Sequence, residues 1–190
     1  NPVMRLPGIG VLYGNLAPEG AIIKIAAVPE HLMKFSGVAK VFDSLDEGLK
    51  ALRGGEVKPG DALVLRFMGL KGRFGTTAFP FQEELKGIPE LYNSCAIITD
   101  GRFSGGTSGL SIGYVSPEAA LVGPIGLIKN GDIVDIDVTG RKINMRVSDE
   151  ELAKRASEFS WTFPKNDYPR YLNLFVKNVG SMAKGGIWER

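Results

Sequence analysis

Ala96-Ile97-Ile98-Thr99-Asp100-Gly101-Arg102-Phe103-Ser104-Gly105-Gly106-Thr107-Ser108-Gly109 is four residues of buried-strand character running straight into a glycine-rich loop. Short apolar runs of this length, bounded by turn residues, read as strands rather than helices. The pattern recurs outward from this point. Pro59-Gly60-Asp61 is a turn leading into the strand Ala62-Leu63-Val64-Leu65-Arg66-Phe67, and Val38–Phe42 alternates well enough for another. Residues 9–28 give an apolar stretch, a turn at Gly14-Asn15 and a second strand from Ala21 to Ala27. Downstream, Asn130-Gly131-Asp132 turns into Ile133–Val138, and Thr139-Gly140-Arg141 turns again into Lys142–Val147, a hairpin.

Helices are fewer. Ser44 with Glu47, and Ser148 with Glu151, form capping-box pairs that start helices ending at Gly54-Gly55 and near residue 158. Ser116-Pro117-Glu118 carries a helix-start signal, with Ser as cap and Pro at the first position. Residues 69–93 read as a long irregular loop with a helical turn near Gln82–Leu85. The expected architecture is one domain over residues 1–190, mainly β with peripheral helices, mostly antiparallel and closed or nearly closed into a barrel.

Composition bounds the function. Hydrophobic residues make up 44% and charged residues 23%, which excludes a disordered chain. No apolar stretch is long enough to span a bilayer. A formal net charge of +2, from 23 basic and 21 acidic residues, is too balanced to imply a nucleic-acid or membrane partner. The 25 glycines in 190 residues are nearly twice the usual share of roughly 7%. Cys95 is the single cysteine, so it makes no internal disulfide and holds no zinc or iron–sulfur site alone, which fits a reducing, cytoplasmic setting. The start at Asn1-Pro2-Val3 lacks a signal-peptide pattern and is expected to be a cut within a longer polypeptide.

The Asp100–Gly109 loop is the richest place for chemistry. A strand end that opens into glycines exposes backbone N–H groups that suit a carboxylate or phosphate, and small residues admit a ligand to the main chain. Gly101 and Gly106 have the spacing of a phosphate loop, but Thr107 stands where its lysine belongs. Ser104 lacks the flanking glycine of a nucleophile elbow. His31, the sole histidine, reads as solvated, and Cys95 as a small core hydrophobe. Asp135 and Asp137 read as the wet face of a strand, and Lys129, Arg141 and Arg146 as scattered surface charge. From residue types alone, a ligand loop and a tight structural turn both stand.

Thr99-Asp100-Gly101-Arg102-Phe103-Ser104-Gly105-Gly106-Thr107, followed by Val115-Ser116-Pro117-Glu118-Ala119-Ala120, closely resembles the C-terminal domain of the dihydroxy-acid dehydratase/6-phosphogluconate dehydratase family. Gly14–Gly20, Ala39–Asp43, the stretch Gly60–Phe67 with Gly69-Leu70-Lys71-Gly72, and Arg170–Gly185 agree with it in order. The resemblance implies a swivelling β/β/α, barrel-like domain, as in the small domain of aconitase-like enzymes. It implies a hydro-lyase that converts a 2,3-dihydroxy carboxylate, a dihydroxy acid or sugar acid, to a 2-keto acid. It places the role of base on Ser104 and substrate contacts on Arg102, Gly105, Gly106 and Thr107, with a structural salt bridge as the other reading of Arg102.

Mg²⁺ and an iron–sulfur cluster are implied as well. They would be held mainly by an N-terminal domain of the same polypeptide, with none expected in this chain alone, so the isolated domain is expected to be inactive. A homo-oligomer, dimer or tetramer, is implied too. Two departures stand out. The family's metal-binding glutamate falls on Ala78, leaving Glu83 or Glu84 as substitutes if the loop is re-registered, and Tyr114 stands where histidine is usual. A non-catalytic anion- or sugar-acid-binding module with a degenerate metal site is the alternative.

Overall fold

Ala62–Leu65 (β4) and Ala96–Thr99 (β5) are buried at every position, which is possible only for strands covered on both faces. The computed structural model describes residues 8–162 and 170–188. Six more strands, β1 (Gly10–Gly14), β2 (Ala17–Ile23), β3 (Lys34–Phe42), β6 (Leu110–Ser116), β7 (Ile133–Asp137) and β8 (Lys142–Met145), complete a closed barrel in the order β1-β2-β6-β5-β4-β3-β7-β8. Inside it, Leu12, Ile23, Val64, Ile98, Ile112, Ile136 and Ile143 belong to one continuous core. Outside β4 and β5 a second core gathers Leu63, Leu65 and Ile97 against helices α1 (Leu45–Arg53), α3 (Phe79–Lys86) and α4 (Pro89–Tyr92).

The barrel is mixed, not mostly antiparallel. β3, β4, β5 and β6 run parallel to their neighbours in that series, and β1 meets β8 in a parallel bridge at Tyr13 and Lys142. Antiparallel ladders join β1 to β2, β2 to β6, β3 to β7 and β7 to β8. The parallel pairs explain why residues 69–93 are not the loose loop their glycines and prolines imply. Parallel strands need a crossover, usually helical, and here α2 (Leu70–Arg73), α3 and α4 make it. Pro80 falls in the first turn of α3, where a missing N–H costs nothing.

Both capping pairs form. Ser44 Oγ accepts from Glu47 N (3.1 Å), while the Glu47 carboxylate reaches back to Asp43 N (2.9 Å). After the short α5 (Pro124–Leu127), Ser148 Oγ accepts from Glu151 N (3.2 Å) at the start of α6 (Asp149–Glu158). The hairpin β7–β8 also forms, with Asp135 paired to Arg146 and Asp137 to Lys34 across its exposed face. The strand expected to reach Ala27 stops at Ile23 and turns through a single helical turn, Ile25–Ala27. The helix start expected at Ser116-Pro117-Glu118 is absent. Ser116 is the last residue of β6, its peptide to Pro117 is cis, and Glu118 turns inward. Of the tail, Arg170–Asn178 forms α7, whereas the start at Asn1-Pro2-Val3 lies outside the described residues.

Phe81 is fully buried in the outer core, with its ring centroid 6.4 Å from that of Phe42. Phe81→Ala is expected to cost about 3–5 kcal/mol in urea titration, with the barrel's far-UV dichroism kept below the transition.

Candidate functional site

Three chain segments leave the barrel at the ends of β4, β5 and β6, and two buried carboxylates tie them together. Asp100, directly after β5, is fully buried. Its Oδ2 accepts from Phe67 N (3.1 Å) and Ala119 N (2.9 Å), and its Oδ1 from Met68 N (2.8 Å). Glu118 Oε1 accepts from Lys71 N (2.6 Å) and Gly72 N (3.0 Å), capping α2 from across the fold. Glu118 Oε2 is buried with no hydrogen-bond partner among the described residues. Gly69 is required beside it, because a Cβ there would stand 2.3 Å from Oε2.

Burial pushes the Asp100 carboxyl up to about 6 against the pull of its N–H donors. Burial first, and the Asp100 charge second, push Glu118 up to about 7. Phe67, held by Asp100, takes a left-handed backbone conformation (φ 62°) that non-glycine residues rarely adopt.

The segment carrying Ala78 and the segment carrying Ser104 lie side by side. Arg102 N donates to Thr76 O (3.1 Å) and Ala78 N to Arg102 O (2.8 Å). Gly101 permits this approach, since a Cβ on it would meet Thr76 O at 2.5 Å and Met68 Cβ at 2.8 Å. Beyond it the chain turns at Ser104–Thr107. Ser104 Oγ is exposed and accepts from Gly106 N (3.2 Å), while Thr107 N donates to Ser104 O (3.1 Å).

Ser104, Gly105 and Thr107 line a cleft of about 350 Å³ together with Phe103, Ile22 and Tyr114. Gly106 serves through its N–H. Arg102 is exposed outside the lining, and no carboxylate among the described residues pairs with it. Tyr114 takes a left-handed conformation (φ 56°) in a register break of the β2–β6 ladder.

The remaining candidates lie elsewhere. Glu83 pairs with Lys86 (2.8 Å) and Glu84 with Arg53, which holds the Glu84 carboxyl below its usual range; neither lines the cleft. Ala78 is fully buried and offers no side-chain donor. Cys95 is core, its thiol pushed up by burial, and His31 Nε2 meets Asn93 O (2.8 Å) on the surface. No group of three or more His, Cys, Asp or Glu side chains able to hold a metal ion occurs among the described residues. Lys24 gives no sign of itself in the sequence, since a lysine between Ile23 and Ile25 shows nothing of a partner 81 positions away. Asp100 stands in the sequence only as a letter of a motif and Glu118 also as part of a helix-start signal, and their bracing role emerges with the fold.

The sequence matches known proteins along nearly its whole length. Residues 1–186 match the family model described as "Dihydroxy-acid/6-phosphogluconate dehydratase C-terminal". The chain is 44% identical over 187 residues to "Dihydroxy-acid dehydratase 1" of Methanosarcina acetivorans, covering 98% of this chain and 34% of that protein. It thus spans about a third of the length of the curated relative it matches. The chain belongs to the dihydroxy-acid/6-phosphogluconate dehydratase family, as its C-terminal domain.

Because both buried carboxyls hold protons more tightly folded than unfolded, their contribution to stability is fully present below the ordinary carboxylate range. It is lost as pH rises through about 6 and then about 7. Unfolding free energy from urea titrations is expected to fall between about pH 4 and 7.5, and Glu118→Gln to flatten the upper part of that slope. Asp100→Ala, which orphans three buried N–H groups, is expected to cost on the order of 3 kcal/mol or more.

Proposed function

We propose that the protein carrying this chain is a hydro-lyase that removes water from a 2,3-dihydroxy carboxylate to give a 2-keto acid, with Ser104 as base. The observation that carries this reading is the Ser104 hydroxyl, exposed on the wall of a cleft and already accepting the Gly106 N–H. An N–H aimed at an oxygen favours the form of that oxygen with more negative charge. In the reaction, Ser104 Oγ takes the proton from C2, the C3–O bond breaks, and the hydroxyl departs as water after gaining a proton. The enol left between C2 and C3 takes a proton at C3, gives up the proton on its C2 oxygen to solvent, and becomes the ketone. The other loop groups orient the acid, with Gly105 and Thr107 in the cleft wall and Arg102, next in sequence to the lining residue Phe103, as a further substrate contact.

A serine with one N–H at 3.2 Å remains far too weak an acid to supply an alkoxide at neutral pH, so further stabilisation comes from outside this chain. The described residues do not fit a metal or cluster. Ala78 presents a buried methyl at the family's glutamate position, and Cys95 is a core thiol. Mg²⁺ and an iron–sulfur cluster are therefore assigned in this reading to the rest of the polypeptide, in a reducing cytoplasm, and the isolated domain is inactive. Exposed Ile9, Tyr13 and Ile22 beside the cleft support a covering domain or a second copy in a dimer or tetramer.

In the full-length enzyme, Ser104→Ala is expected to lower dehydration of its 2,3-dihydroxy acid by about 100-fold or more, with thermal unfolding and substrate affinity nearly unchanged. Near-normal turnover removes Ser104 as the base. Binding without turnover by the unaltered enzyme leaves the anion-binding module.

A further inference from the structure

Among the described residues lining the Ser104 cleft there is no carboxylate, and the only charged side chain is Lys24. Lys24 follows β2 directly and reaches across the mouth of the cleft, where Nζ donates to Gly105 O (2.6 Å). That carbonyl belongs to the turn on which Ser104 and Gly106 meet. No ion pair engages the ammonium among the described residues. A carbonyl satisfies one of its three N–H donors and leaves the positive charge uncompensated.

Ile9, Ile22, Ala26 and Phe103 line the cleft around it, so the ammonium is the one side-chain charge among the described residues that a ligand there would meet. On the same lining, Thr107 is only 4% exposed, and its Oγ1 is buried with no hydrogen-bond partner among the described residues. A buried hydroxyl left unpaired is costly. A cation and the Ser104 hydroxyl on one acid-free cleft describe a receptor for a small hydroxylated anion.

We propose that Lys24 is the carboxylate-binding residue of this cleft and, through Gly105 O, a positioning residue for the Ser104 turn. Its ammonium anchors the turn with one N–H and takes the carboxylate of the hydroxy acid with the others. The choice of a dihydroxy acid as ligand rests on the function proposed above; the demand for a negative charge does not.

The test uses full-length holoenzyme carrying Ser104→Ala, so that binding is read without dehydration, and two probes of nearly equal shape, glycerate and its uncharged amide, glyceramide, titrated by calorimetry. Lys24→Met is expected to weaken glycerate about tenfold or more while leaving glyceramide within twofold, and Lys24→Arg to restore most of the glycerate affinity. Equal weakening of both probes would mean a merely structural lysine and overturns the proposal. So does unchanged glycerate binding in Lys24→Met, or no glycerate binding by the enzyme with Lys24 intact. Turnover is scored separately, with Ser104 present. An enzyme that binds glycerate through Lys24 yet dehydrates no 2,3-dihydroxy acid overturns the proposed function and leaves the Lys24 assignment standing.

Discussion

Two carboxylates buried at one end of the barrel hold five backbone N–H groups drawn from the segments after β4 and β6. Carboxylates are seldom placed in a protein interior, because removing the charge from water costs more than one or two hydrogen bonds return. Here burial outweighs the donors, which is why both groups titrate well above the ordinary carboxylate range. What the arrangement gains is position. The loops that would otherwise leave the barrel independently are fixed to the residue that follows β5 and opens the glycine-rich turn.

The site's chemistry follows from that fixing. With Phe67 and Met68 held by Asp100, the chain bearing Ala78 runs beside Arg102, and the turn at Ser104 projects from a braced base into the cleft. The same geometry explains why the family motif is dense in small residues. Gly101 and Gly69 stand where a methyl group would strike backbone or a buried carboxylate, so their service is to packing, whereas Gly106 serves through an exposed N–H. A motif that reads as one functional unit therefore divides into a brace, formed by Asp100 and Glu118, and a working turn, formed by Ser104–Thr107.

Much of this is legible in the amino-acid sequence. The buried runs Ala62–Leu65 and Ala96–Thr99, the hairpin around Gly140 and the helices capped by Ser44 and Ser148 all declare themselves through local chemistry, and local chemistry is what a sequence displays. Direction of pairing is not local. The continuous apolar run Ala62–Leu65 speaks for cover on both faces, as parallel strands have, but not for which strands lie beside it, and without those partners the crossover helices among residues 69–93 look like loop. Glu118 misleads for a related reason. A carboxylate after Ser-Pro is the usual dress of a helix start, yet this one caps α2, a helix nearly fifty positions earlier. Ser104 and its turn stand out by family resemblance, and Lys24 only by its contact with Gly105.

The brace is tested most directly by native-state amide hydrogen exchange on the full-length protein at neutral pH. The account predicts that the amides of Phe67, Met68, Gly72 and Ala119, which lie outside the barrel strands and donate to the two carboxylates, exchange as slowly as amides of β4 and β5. Exchange of those four amides as fast as that of Gly105 in the exposed turn would contradict it.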